Sequence, residues 1–209
     1  MEHLAGDMRA GVHAFRPEDP EAGFQGLVVL APDRPGLLAM MCGILRAAGR
    51  NILGAQIYTN RESLAVEIFE LEPLPGGPDE EEAERLRFEQ RLTAVLAGHQ
   101  DIEAIAASIP PHQPHAFRTL PTEVHISNDD SEFYTIVDVS ATDRPGILFD
   151  IARALAESRL DVAMSRVGTR AARVTDAFYV TEEGHKLLDE TRIREVEETV
   201  LRAIRQGRA

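Results

Sequence analysis

Two stretches combine residue types that could hold a small charged ligand: Asp33-Arg34-Pro35-Gly36 and Asp143-Arg144-Pro145-Gly146. Proline at a first helical position fixes φ and lacks an N–H that would be unpaired there. The glycine after it removes the side chain that would block approach to the helix end. The amides of Leu37 and Leu38, or of Ile147 and Leu148, then point outward at the positive end of a helix dipole, where a carboxylate is favoured. Asp33 or Asp143 can cap those amides or take an ammonium. A ligand bearing both charges at short range is an amino acid. One such stretch reads more simply as a capped strand-to-helix turn. Two at matched positions, each with Asn51 or Asp161 at the far end of its helix, bring the binding reading level with that one.

The two stretches lie 110 residues apart, and the match extends beyond them. Leu27, Val29 and Ala31 align with Val137, Val139 and Ala141, and Leu37, Leu38, Met41 and Leu45 with Ile147, Leu148, Ile151 and Leu155. Asn51-Ile52 falls on Asp161-Val162, Thr59 on Thr169, and Ile68-Phe69 on Phe178-Tyr179. Two copies are too few for a solenoid, so the chain reads as two similar domains: 12–109, a Pro-rich linker over 110–121, and 122–206.

An apolar content of 44% and a charged content of 27% suit a globular fold. The net charge of −13 argues against a nucleic-acid partner, which needs clustered Lys and Arg. No apolar run approaches a membrane span and the start lacks a signal-peptide core, so no membrane partner is expected and a cytoplasmic location is. The single Cys42 on an amphipathic helix excludes an internal disulfide and reads as a small buried hydrophobe, not a catalytic thiol.

The elements that must position these residues follow from periodicity. Met1–Gly11 lacks a pattern, Val12–Arg16 could form a short strand, and Pro17–Gly23 is loop. Phe24–Ala31 is a strand, and Pro35–Ala48 a helix with Leu37, Leu38, Met41, Ile44 and Leu45 on one face, ended by Gly49. Asn51–Thr59 and Leu64–Glu72 are strands joined by a turn at Asn60–Ser63, and an acidic start at Asp79 leads a helix to Ala97. Asp101–Ile109 is ambiguous and is assigned as a short helix; His112 and His115 beyond it read as linker residues, not metal ligands. Strands at Glu123–Ser127 and Glu132–Ala141, a helix at Pro145–Ser158, strands at Leu160–Thr169 and Arg173–Thr181 and a helix at Asp189–Arg205 complete the chain.

The fold class is therefore α+β: two ferredoxin-like units, each an antiparallel four-stranded sheet with helices on one face. The second unit has no room for a fourth strand after its last helix, so the edge strand must come first, at Glu123–Ser127, with Val12–Arg16 doing the same ahead of the first core strand.

The strand-Asp-Arg-Pro-Gly-Leu-Leu-helix-Asn-Ile run over 27–52, repeated over 137–162, resembles the signature of the ACT domain, a βαββαβ module that binds amino acids at interfaces between paired copies. Thr142-Asp143-Arg144-Pro145-Gly146, Arg166-Val167-Gly168-Thr169, Val174–Thr181 and Gly184-His185-Lys186 look like the last domain of the bifunctional PII uridylyltransferase/uridylyl-removing enzymes. Ala55-Gln56-Ile57-Tyr58-Thr59 is similar to the corresponding run in their first ACT domain. The family's nucleotidyltransferase and phosphohydrolase motifs do not occur in these residues. The resemblance thus implies a C-terminal regulatory part with an artificial start at Met1 and no catalysis or cofactor of its own, magnesium belonging to absent catalytic domains. It implies L-glutamine or another small amino acid as ligand, PII protein as a partner through the full-length enzyme, and a possible homodimer. Gly54, Met164 and Arg173 depart from the family pattern, which bears on ligand identity in each copy.

The implied ligand-binding residues are Asp33, Pro35, Gly36, Leu37, Asn51 and Ile52, and in the second copy Asp143, Pro145, Gly146, Ile147, Asp161 and Val162. Ligand is expected where one unit's turn faces the other unit's second strand. Two other readings are a stand-alone tandem regulator acting by protein contact and a catalytic piece. For the last, Asp176 and Tyr179 are the polar candidates, though on such a strand they read as edge or interface residues.

Overall fold

The computed structural model describes residues 11–15, 23–60, 63–99, 121–170 and 173–207. The first half runs β1 (Gly11–Phe15), β2 (Gln25–Pro32), α1 (Leu37–Ala47), β3 (Ile52–Thr59), β4 (Leu64–Leu71) and α2 (Pro78–Leu96). The second runs β5 (Glu123–Ser127), β6 (Thr135–Thr142), α3 (Ile147–Glu157), β7 (Asp161–Arg170), β8 (Arg173–Thr181) and α4 (Glu190–Gln206). The expected helix at 101–109, His112 and His115, the linker as far as 120, the first ten residues and the tip of the Asn60–Ser63 turn lie outside the described residues.

Eight strands form one antiparallel sheet in the order β1-β2-β4-β3-β7-β8-β6-β5. In each half the strand that comes first in sequence occupies the outer edge, paired with β2 or β6. This is the strand-first variant of the ferredoxin-like arrangement.

The halves join through β3 and β7, paired antiparallel from Gly54↔Gly168 to Tyr58↔Met164. The central pair, Gln56↔Arg166, is separated by the repeat offset itself, so a local two-fold axis passes through it. Helices pack in a row, α2-α1-α3-α4, with the two helices that follow the Asp-Arg-Pro-Gly turns side by side at the centre. Alternation along β2 (Leu27, Val29, Ala31) and β6 (Val137, Val139, Ala141) supplies the sheet side of one hydrophobic core spanning both halves. From α1, Leu37, Leu38, Met41, Ile44 and Leu45 are buried, each aliphatic side chain worth about 1.5–3 kcal/mol. That face, not capping, holds the helix in place.

Register corrects one alignment. Leu27 faces Phe69 across β2 and β4, and its repeat partner Val137 faces Phe178. Phe69 therefore matches Phe178, one residue from the pairing read in sequence, because the β7–β8 hairpin is one residue shorter than the β3–β4 hairpin. The same shift brings Glu67 opposite Val29 and Asp176 opposite Val139.

Candidate ligand site

Each Asp-Arg-Pro-Gly stretch forms a β-turn ahead of its helix. The Leu37 amide donates to the Arg34 carbonyl at 3.1 Å, and Ile147 to Arg144 at 3.2 Å. Gly36 and Gly146 sit third in the turn with φ of 77° and 81°, the left-handed conformation that a type II turn requires after proline. The helices accordingly start at Leu37 and Ile147, two residues later than the proline-first reading. No side chain caps either helix, so Asp33 and Asp143 are not N-caps. Because the turn consumes the first amide, the donors at the start of α1 are those of Leu38 and Ala39.

Each turn abuts the last turn of the other half's helix, and here the two copies diverge. A Cβ on Gly36 would lie 3.6 Å from Ala156 of α3, an ordinary contact. A Cβ on Gly146 would lie 2.9 Å from Arg46 of α1. In the repeat Arg46 and Ala156 occupy matching positions. Where the small residue stands, a cavity of about 400 Å³ opens; where the arginine stands, about 20 Å³ remains, room for one water.

The open cavity lies between the first turn (Asp33, Gly36, Leu37, Leu38, Ala39), the start of β7 (Asp161, Val162, Ala163) and Ala152 and Ala156 of α3. Asp33, Arg34, Asn60 and Asp161 are exposed at its rim, whereas Ile57, Ala65 and Glu67 are buried at its inner end. Asp161 has its pKa raised by burial and then by the charge of Asp33, so two carboxylates converge on the rim. Glu67 is 1% exposed, and its Oε2 has no hydrogen-bond partner. Burial, with Asp33 adding to it, pushes its carboxyl up to about 8.

The closed counterpart is filled by an ion cluster. The Arg46 guanidinium lies 3.1 Å from Oδ1 of Asp150 and 5.4 Å from the ring centre of Phe149. Arg144 lies 2.6 Å from Oδ2 of the same carboxylate. Asp150 and Phe149 match Met40 and Ala39 in the first half, so neither this helix carboxylate nor this ring has a counterpart on α1 at the open site.

Of the residues singled out in sequence, the structure brings Asp33, Gly36, Leu37, Asp161 and Val162 together around the open cavity. Asn51, Ile52, Gly146 and Ile147 surround the closed one, with the Asn51 amide donating to Glu72 at 3.3 Å. Pro35, Pro145 and Asp143 line neither. Asp176 is not an edge residue but 1% exposed on the central strand β8, with Oδ1 accepting from the Gly168 amide at 3.3 Å and the carboxyl raised to about 7 by burial. Cys42 is buried, and burial together with Glu67 and Asp176 raises its thiol pKa. That is an inert environment. Lys186 serves the fold, its ammonium donating to the carbonyls of Asn128 and Ser131 at 2.6 Å. Glu67 was missed as a site residue; its signal was an acid at the inward phase of Ala65-Val66-Glu67-Ile68-Phe69. Among the described residues no group of three His, Cys, Asp or Glu could hold a metal, and no helix is long and apolar enough to cross a membrane.

Residues 123–206 match the family described as ACR9-like, ACT-like domain. The second half is an ACT-like domain. Over nearly the whole chain the homologues are bifunctional uridylyltransferase/uridylyl-removing enzymes. That of Rhodospirillum rubrum is 32% identical over 191 residues, 90% of this chain and 20% of the relative. The Gluconobacter oxydans enzyme is 31% identical over 208 residues (98% and 22%), and that of Caulobacter vibrioides 33% over 207 (97% and 22%). The chain therefore spans about a fifth of the length of the curated relatives it matches. The stretch matched in the Gluconobacter oxydans enzyme takes in both halves of the sheet.

Proposed function

We propose that the chain is the amino-acid-sensing regulatory part of a uridylyltransferase/uridylyl-removing enzyme, with L-glutamine as its ligand and the modification state of PII, in the cytoplasm, as its output. The observation that carries this reading is the open cavity between the first Asp-Arg-Pro-Gly turn and the start of β7. Its volume falls within the range of about 300–1,000 Å³ usual for small-molecule sites. It offers helix-start amides at Leu38 and Ala39 for an α-carboxylate, and Asp33 and Asp161 for an α-ammonium. Ligand there touches both halves at once, so it favours one arrangement of the two over any other, which is the differential affinity that allosteric control requires.

Isothermal titration of the 209-residue chain with L-glutamine, and with L-glutamate as control, tests the reading. Saturable heat with glutamine that is lost in Asp161→Ala and kept in Asn51→Ala is the expected result. No heat up to millimolar glutamine would withdraw it and leave regulation by protein contact.

A further inference from the structure

Resting on that reading of the cavity, we propose that Glu67 is the residue that selects the side-chain end of the ligand, pairing with a primary carboxamide through two hydrogen bonds. Three observations carry this. The rim bears the groups suited to an α-amino acid head, while the passage inward runs between apolar Leu38, Ile57, Ala65 and Ala152. A ligand threading it needs an aliphatic stem. Glu67 then stands at the inner end, almost fully buried, with one carboxyl oxygen lacking any partner. A buried polar atom left unsatisfied is costly, and a donor brought by the ligand removes that cost.

The protonation state sharpens the choice. A carboxyl held near 8 is neutral at pH 7, with an O–H to donate and a C=O to accept. A carboxamide offers the complement, an acceptor oxygen and an NH₂ donor. A carboxylate tip would bury an anion near Asp33 and bring no N–H for the Glu67 C=O to accept, and a cationic tip would require burying two charges. The titratable and charged groups that share the cavity with Glu67 are Asp33 and Arg34 after β2, Tyr134 ahead of β6 and Asp161 at the start of β7, with Cys42 of α1 beside it in the core; β3 contributes Ile57 and Thr59.

The test titrates L-glutamine and L-methionine into the intact chain and its Glu67→Gln and Glu67→Leu variants, with thermal melts to verify folding. Glu67→Gln is expected to bind glutamine within about threefold of the parent, because an amide also offers one donor and one acceptor. Glu67→Leu is expected to lose about tenfold or more for glutamine and to gain for methionine. In the parent, glutamine affinity should fall as pH rises through about 8 and stay flat in Glu67→Gln. Parental glutamine affinity in folded Glu67→Leu, or a loss in Glu67→Gln equal to that in Glu67→Leu, overturns the role of Glu67 while leaving the cavity as the site. Should Glu67→Leu not fold, a pH profile unchanged between parent and Glu67→Gln overturns it instead. Absence of glutamine binding by the parent overturns both.

Discussion

Glu67 and Asp176 occupy matching places in the two halves, each buried on a central strand beneath a helix and each with one oxygen unpartnered. Both carboxyls are raised, to about 8 and about 7, because burial disfavours the charged form. The sign follows from linkage. Between the unfolded value near 4.5 and the folded value near 8, the native state holds a proton that the unfolded state has released, so stability falls as pH rises through this window. Glu67→Gln removes that loss. Its stability advantage over the parent is expected to grow between pH 5 and 8 by an amount on the order of 3 kcal/mol, read by urea denaturation at each pH. A constant difference across this range would mean that Glu67 titrates normally.

The turn and the helix end it faces decide which copy is open. Gly36 and Gly146 share one backbone conformation, so alanine at either costs about 1–2 kcal/mol from left-handed φ alone. At Gly146 the added Cβ also meets Arg46 at 2.9 Å, and Gly146→Ala is expected to destabilise more than Gly36→Ala in denaturant titrations. Asp150 holds two guanidinium groups, and Asp150→Ala leaves both short of a carboxylate at a buried junction, a loss of about 2–4 kcal/mol in the same measurement. At this scale the sequence was largely readable. Period-2 and period-3.6 patterns with Gly and Pro punctuation placed the strands and helices to within a few residues, and the missing fourth strand in the second half required the strand-first edge. Two features were hidden. The one-residue shift at β8 depends on hairpin length, which moves the inward phase by a single step without altering local composition. The asymmetry of the two sites depends on Arg46 facing Gly146 and Ala156 facing Gly36, contacts between residues about 100 apart that no local pattern reveals, although the repeat alignment sets Arg46 against Ala156.

At the scale of the whole molecule, the continuous sheet and the paired central helices make the two halves one body in which one turn-to-helix junction is open and its counterpart closed. On the proposed reading, this pseudo-symmetric tandem binds one ligand per chain. Ala156→Arg, which copies Arg46 into the open site, is expected to fill the cavity and reduce glutamine affinity by about tenfold or more without loss of the folded state, checked by calorimetry and a thermal melt. The most direct test is a heteronuclear NMR titration of the isotopically labelled chain with L-glutamine. Amide shifts should saturate at one ligand per chain and centre on Asp33 to Ala39 and Asp161 to Ala163, leaving the environment of Arg50 to Ile52 and Gly146 to Phe149 unmoved. Shifts of equal size at both places, or none at either, would contradict a single open site.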